Sequence, residues 1–420
     1  MGTVLTLDDV RLSGKKVLLR VDVNSPLDPE TKAFLDDTRL RAVLPTLRRL
    51  ADAQVIILGH QSRPGKSDFT TMERHADLLC RLLGRDITYV PDICGVTARN
   101  AIRSMERGDM LFLDNVRGHA DETGMKKASF EALHESEIVQ SLAPLVDAYV
   151  TDAFAAAHRN SPTLSGFGRA LPCVAGELMA REIKALKMAV ENPPKPYTAV
   201  LGGVKCDDSL EIALNLASRE VADTIVPVGV VGNLMIWADG VDIGEGNQNF
   251  IRSELGSAFD ATWEMAVELL ANHRDRLLMP VDLAAEIDGA RIDLPLSELP
   301  PAGPLFDVGL QSLMAMRPHI VDAGCVLWNG PAGLFEKPDF AFGTIEILNQ
   351  CCESSGFTII GGGHTSTLVS ERKVADQVSH NSTGGGACLT MLAGKSMPAI
   401  AALEMSADLF RDELATRGLI

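Results

Sequence analysis

Short apolar runs that end in glycine or polar residues, each followed by an amphipathic stretch, recur along the whole chain and restrict its fold more than any other feature. Lys16–Asp22 is the first, with Val23 and Asn24 at its carboxyl end; Val55–Leu58, Ile87–Val90, Met110–Leu113 and Ala148–Thr151 follow. Between them Asp36–Thr38 caps a helix whose Leu40, Val43, Leu44 and Leu47 share one face, and Ala76–Leu83 is amphipathic. The pattern restarts at Tyr197–Leu201 and continues with Thr224–Val228, a helix over Ala258–Asn272, and runs at Leu277–Met279, Cys325–Trp328 and Phe357–Ile360. Runs that are apolar at almost every position suit strands buried on both faces, the condition of a parallel sheet covered by helices. A helix expected from about Gly176 to Val190 runs into Glu191–Pro196, whose prolines end it and mark a domain boundary. Residues 284–304 show no clear periodicity and read as loop. A chain of 420 residues is too long for one core. The expected fold class is α/β: two doubly wound parallel-sheet domains joined by a helical hinge.

Such sheets bind ligands outside the carboxyl ends of their strands. In the first half those ends carry Asp22, Asn24, His60, Arg63, Arg117, His158 and Arg159, and Arg39 sits in the first turn of the helix capped at Asp36–Thr38. Any one of these could be a solvated loop residue. The chain as a whole carries 56 acidic against 39 basic residues, a net charge of −17. Arginines gathered at one edge of so acidic a protein point to a small, multiply anionic ligand, and the overall charge argues against nucleic acid or an anionic membrane as partner. In the second half the strand ends carry glycines instead: Gly202–Gly203, Gly229–Asn233, Asn329–Glu336 and Gly361–Gly363, with a further cluster at Ser379–Ala387 and one obvious cation, Lys205. Backbone N–H groups for phosphates, apolar walls for a base and one ammonium are the equipment of a nucleotide site. Phe357–Thr365 illustrates it: an apolar run enters three glycines and Thr365 is expected to open a helix, so that phosphate can meet a helix N-terminus. None of these turns matches the P-loop or the dinucleotide G-x-G-x-x-G pattern.

The eight cysteines show neither C-x-x-C nor zinc-ligand spacing and read as reduced core residues of a cytoplasmic protein. The first residues lack the basic and apolar regions of a signal peptide, and no run is long enough to span a bilayer.

In this order, Val17–Asn24, Asp37–Arg39, Gly59–His60 with Arg63–Pro64, Asp152–Phe154 with Ala157–Arg159, Leu201–Gly203 with Lys205, Pro280–Asp282, Trp328–Pro331 with Gly333 and Phe335–Glu336, Gly361–Gly363, and Ser379–His380 with Ser382–Ala387 resemble the phosphoglycerate kinase family. The resemblance runs from about Lys16 to Leu403. It implies a hinge kinase that moves a phosphoryl group between 1,3-bisphosphoglycerate and MgADP, giving 3-phosphoglycerate and ATP. By this likeness residues 1–175 bind phosphoglycerate, 176–196 form the hinge helix and linker, 197–394 bind nucleotide, and 395–420 pack back on the first domain. Asp22, Asn24, Arg39, His60, Arg63, Arg117 and Arg159 would hold phosphoglycerate. Lys205, Gly229, Asn233, Asn329, Pro331, Glu336, Gly361, Gly362, Gly363, His364 and Thr365 would hold the nucleotide, with Glu336 suited to the ribose. Gly384, Gly385 and Gly386 would offer amides to the phosphoryl in transit.

The nucleophile in such a reaction is a carboxylate, so no general base is needed, and Arg39 and Lys205 are the expected catalytic pair, neutralising charge in the transition state. Two positions depart from most of the family: Ser209 replaces a second lysine, and His364 replaces an aspartate that helps hold magnesium. Together they resemble the archaeal-type branch. They leave the metal ligand open, with Asp208 the candidate carboxylate. A monomer is expected. A catalytically silent nucleotide-binding relative is the alternative, which has no need of both halves of a transfer site; a Rossmann oxidoreductase lacks its glycine fingerprint.

Overall fold

The computed structural model describes residues 2–420; Met1, where the first expected domain begins, lies outside them. The chain divides into two compact units, one formed by the residues up to Ile183 with Ser396–Ile420, the other by Lys184–Lys395. In the first unit, β1 (Lys16–Arg20), β2 (Gln54–Leu58), β3 (Thr88–Val90), β4 (Met110–Leu113), β5 (Ala148–Thr151) and β6 (Cys173–Ala175) form one parallel sheet in the order β3-β4-β2-β1-β5-β6. Val17, Leu19, Val55, Ile57 and Phe112 pack with Leu40, Leu47 and Leu79 of the flanking helices. Arg20 lies beside Leu58 on one side and Thr151 on the other, so the segments that follow these three strands emerge at one edge. Helix Pro398–Phe410 packs on this unit, where the Ser406 hydroxyl accepts from the Cys173 amide and donates to the Leu171 carbonyl, both at 2.8 Å.

The second unit holds β7 (Tyr197–Leu201), β8 (Thr224–Pro227), β9 (Asp282–Ile287), β10 (Ala290–Pro295), β11 (Leu305–Val308), β12 (Cys325–Asn329), β13 (Phe357–Gly361) and β14 (His380–Asn381). Its main sheet is parallel in the order β14-β13-β12-β7-β8. Asn329 is in register with Leu201 and Gly361, and Leu201 with Pro227, which brings the glycine-rich turns to one edge. The chain passes between the units along helix Glu177–Glu191. Its first turn is anchored in the first unit: Thr46 Oγ1 accepts from the Glu177 amide at 2.9 Å and donates to buried Asp152, whose other oxygen accepts from the Met179 amide at 3.0 Å.

Four expectations are corrected. The helix expected beyond Asp36–Thr38 is two, Thr38–Ala42 and Leu44–Arg49, because Pro45 lacks the N–H and crowds the preceding turn. Leu277–Met279 is no strand; Leu277 makes a single bridge to Ile225, and the strand begins at Asp282. Residues 284–304 are largely not loop. β9 and β10 form an antiparallel hairpin about Asp288–Gly289, both at positive φ (51° and 78°), and β11 completes a separate sheet in the order β10-β9-β11. Asp-Gly is the turn signal for such a hairpin, and β10 alternates Ala290, Ile292 and Leu294 with Arg291 and Asp293, but the run is short and mostly exposed. Finally, the helix after β13 starts at Gly363, with Thr365 inside its first turn.

His75, on helix Glu73–Leu83, is buried, with Nε2 3.1 Å from the Gln61 side-chain oxygen and its ring edge-on to Phe34. Burial brings its pKa down to about 4. The unfolded chain therefore takes up this proton near pH 6.5 and the folded chain only near 4, so stability falls as pH drops through that window and levels off below it. The loss is roughly 3 kcal/mol. Urea unfolding at several pH values should show a shallower slope in His75→Gln than in wild type.

Candidate active site

A cleft of about 680 Å³ lies at the carboxyl edge of the first sheet. Its wall includes the expected residues Asn24, His60, Arg63, Arg117 and Arg159, and also Arg20, Lys126 and His158. Only two carboxylates, Asp68 and Glu122, share it. Burial, with Arg159 and Arg20 nearby, pushes Arg117 down to about 10; burial and neighbouring arginines also lower Arg159, against the attraction of Asp22. Both stay charged at neutral pH, so this cluster repels itself and is relieved by an anion.

Asp22 and Arg39 are not on that wall. The buried Asp22 carboxylate accepts from Arg39 Nη1 at 2.8 Å and from the Asn24 amide at 3.1 Å. Burial opposes its ionisation, but the Arg39 and Arg20 charges and the Asn24 amide outweigh it and hold the pKa below the usual carboxylate range. The Asp22 carboxylate thus holds Arg39 and the turn at Asn24, and it would repel a phosphate or carboxylate group while still able to accept from a ligand hydroxyl. Asn24 in turn accepts from the Ser62 amide at 2.7 Å, tying the turn after β1 to the turn after β2.

Arg20 was legible only as a charged residue inside an apolar run, which is costly unless its charge is satisfied. It is 1% exposed and sits in a directed chain of hydrogen bonds. Its Nε donates to Thr163 Oγ1 at 3.0 Å, and that hydroxyl donates to Glu122 at 2.6 Å; Ser161 and the Thr163 amide also donate to Glu122. Arg20 Nη2 lies 3.0 Å from His60 Nδ1. A guanidinium can only donate, so Nδ1 accepts and the ring proton is on Nε2. Burial and the neighbouring arginines keep the imidazole well below its usual range, against the pull of Asp22, so His60 is a neutral donor rather than a cation.

The second unit holds a cavity of about 660 Å³ whose lining includes the expected Gly229, Asn233, Pro331, Glu336 and His364. Gly229 has φ 60°, and a Cβ there would come within 2.6 Å of the Pro331 carbonyl, so the turn excludes a side chain. Asn329 ends β12 with its Oδ1 buried and unpartnered. Gly361, Gly362 and Gly363 join β13 to the helix bearing His364, but the Thr365 hydroxyl is buried and donates to the Gly361 carbonyl. Lys205 is exposed at the start of helix Cys206–Ser218 and is not on the cavity wall. Ser209, buried on that helix, donates to the Gly202 carbonyl at 3.2 Å. Gly385, at φ 51°, caps helix Gly386–Leu392, and the Gly384 amide donates to Ser382.

Much of the remaining wall lies outside the expected site residues: Gly244 and Phe250 come from the cap and body of helix Glu245–Leu255, Gly303 and Phe306 from the entry to β11 and β11 itself, and Leu334 from the turn after β12. Arg291 of β10 braces this part, reaching Asp307 at 2.7 Å, Asp293 at 2.9 Å and the Val308 carbonyl at 2.9 Å.

The "Phosphoglycerate kinase" family model matches residues 7–395. The phosphoglycerate kinase of Methanothermus fervidus is 43% identical over 401 residues, covering 95% of this chain and 96% of its own. That of Methanocorpusculum labreanum is also 43% identical, covering 96% and 98%. Among solved structures, phosphoglycerate kinase from Pyrococcus horikoshii superposes with a TM-score of 0.85 at 35% identity, covering 96% of this chain and 99% of that one. The enzyme from Coxiella burnetii gives 0.79 at 29% identity with the same coverage. With a cation-lined cleft in one unit, a glycine-walled cavity in the other and relatives matched over nearly their full length, the chain belongs to the phosphoglycerate kinase family of phosphotransferases.

Proposed function

We propose that the basic cleft of the first unit holds 3-phosphoglycerate or 1,3-bisphosphoglycerate and that the cavity of the second holds ADP or ATP. The observation that carries this reading is the self-repelling group of Arg20, Arg63, Arg117, Lys126 and Arg159 on one wall of a protein with a net charge of −17. Asn24, Arg63, Arg117 and Arg159 grip the anion, His60 adds a neutral N–H, and Arg39, held by Asp22, reaches the reacting carboxylate. Apolar Phe250, Phe306 and Leu334 suit a base, Glu336 the ribose hydroxyls, and Lys205 with the turns at Gly361–Thr365 and Gly384–Gly386 the phosphates. Attack by an ionised carboxylate oxygen on the terminal phosphorus needs no base, so this chain contributes alignment and charge neutralisation.

Magnesium finds no cage of side chains in the second unit: among the described residues, the one group of three metal-binding side chains lies elsewhere. Asp208 is near Lys205, and burial and Asp207 raise its carboxyl. The ion, which would neutralise phosphate charge, is thus assigned to the nucleotide phosphates and water, with Asp208 the one candidate carboxylate. Asp208→Asn is expected to leave the magnesium dependence of turnover within about twofold; a large rise in the magnesium required would make Asp208 a ligand.

Substrates bound on different units imply closure about residues 175–196 and the chain's return near 390–405, for which scattering should show compaction when both are bound. Both clefts belong to one chain, which suits a monomer, and unpaired cysteines throughout suit a reducing cytoplasm. No helix among the described residues is long and apolar enough to cross a membrane. Coupled turnover with 3-phosphoglycerate and ATP tests the reading. Nucleotide binding without turnover would instead identify a silent relative.

A further inference from the structure

We propose that the first unit carries a second, separate site for a borderline-soft divalent cation of the zinc class, built from Cys94, His119 and Glu137. One ligand atom from each, the Cys94 Sγ, a His119 ring nitrogen and a Glu137 carboxylate oxygen, lies within 4.8 Å of the other two. His119 Nε2 and Glu137 Oε2 are 3.6 Å apart. A tetrahedral zinc ion with bonds of about 2.0–2.3 Å separates its ligands by roughly 3.3–3.7 Å. The set therefore closes on an ion with a side-chain movement of about 1 Å. Glu137, largely exposed, and His119, partly exposed, have the freedom to make it.

The three residues come from different segments: Cys94 from the loop after β3, His119 from the turn after β4, and Glu137 from the first turn of helix Glu137–Leu142. They share the lining of a separate cavity of about 420 Å³, which leaves a fourth coordination position open to water or a small ligand. A supporting carboxylate is in place. Asp121 Oδ2 accepts from the Glu137 amide at 2.9 Å and stands 4.0 Å from His119 Nδ1. With Nε2 on the metal the ring proton moves to Nδ1, which exchanges its present bond from the Asp121 amide for one to the Asp121 carboxylate. Burial and the carboxylates of Glu137, Asp92 and Asp121 hold the Cys94 thiol up at about 11, so it is protonated without metal; metal binding displaces that proton to solvent, leaving a thiolate ligand. Thiolate, imidazole and carboxylate together select zinc or cobalt over magnesium, which prefers oxygen ligands alone. The ion ties three chain segments together and stabilises this corner of the first unit.

Full-length protein stripped with chelator should take up one equivalent of Zn²⁺ or Co²⁺, measured by calorimetry and elemental analysis, and melt at a higher temperature when loaded. The cobalt form should show a thiolate-to-metal charge-transfer band that Cys94→Ser lacks. His119→Gln and Glu137→Gln, at sites with more room, should each weaken uptake by about tenfold or more. Absence of stoichiometric uptake at micromolar concentration, or a band and affinity unchanged in all three variants, would overturn the proposal.

Discussion

If Arg39 acts as proposed, Arg39→Ala is expected to lower kcat by about 10²–10³-fold while leaving nucleotide affinity unchanged, because the proposed role is to neutralise charge developing only as the phosphoryl moves. Stability complicates the measurement. Asp22 is buried and Arg39 is its ion-pair partner, so truncation leaves a carboxylate without its main compensation. Arg39→Lys separates the two effects. It keeps a positive charge near Asp22, and so most of the stability, but loses the planar fork that can meet a carboxylate and a phosphoryl oxygen together. Steady-state kinetics on both variants, with urea unfolding alongside, should show both catalytically impaired and only Arg39→Ala markedly less stable. A kcat within twofold of wild type for a folded Arg39→Ala protein would remove Arg39 from the transfer step.

The largest stability effect is expected at the other unit's brace. Arg291 is mostly buried and Asp307 completely so, with the Asp307 carboxylate also accepting from the Gly343 and Val308 amides. Arg291→Met keeps the aliphatic volume but strands a buried charge, and should destabilise the protein by about 3–5 kcal/mol. Burial already raises the Asp307 carboxyl in spite of Arg291. Without the guanidinium it should rise further, so the defect should shrink at acid pH as Asp307 takes up a proton. Because Asp307 and its neighbours line the cavity, the KM for nucleotide should rise with kcat little changed. An unaltered unfolding midpoint would show that the pair does not hold the hairpin to the sheet.

Much of this was legible in the residues themselves. Parallel strands such as β1 and β12 are apolar along nearly their whole length because helices cover both faces, and polar or glycine residues gather at their carboxyl ends because a parallel sheet opens its ligand crevice there. Sequence order alone therefore allowed Asn24, His60, Arg63, Arg117 and Arg159 to be grouped before their positions were known, and register then brought them to one wall. The cavity of the second unit was less legible. Part of its wall comes from the start of helix Glu245–Leu255 and from residues 301–307 leading into β11, segments that lie outside the carboxyl ends of the main parallel strands.

By itself, then, the sequence determined the fold class, the family and the division into an arginine-rich and a glycine-rich half, since those depend on local periodicity and on residue types at strand ends. Only the tertiary structure decided which polar side chains line the cleft and which are engaged with each other. Asp22 serves Arg39, Arg20 sets the proton on His60 Nδ1's partner nitrogen, and Thr365 bonds its own backbone. These roles depend on burial and on hydrogen-bond direction between residues up to 143 positions apart in the chain, as Arg20 and Thr163 are. No local pattern encodes contacts over such separations.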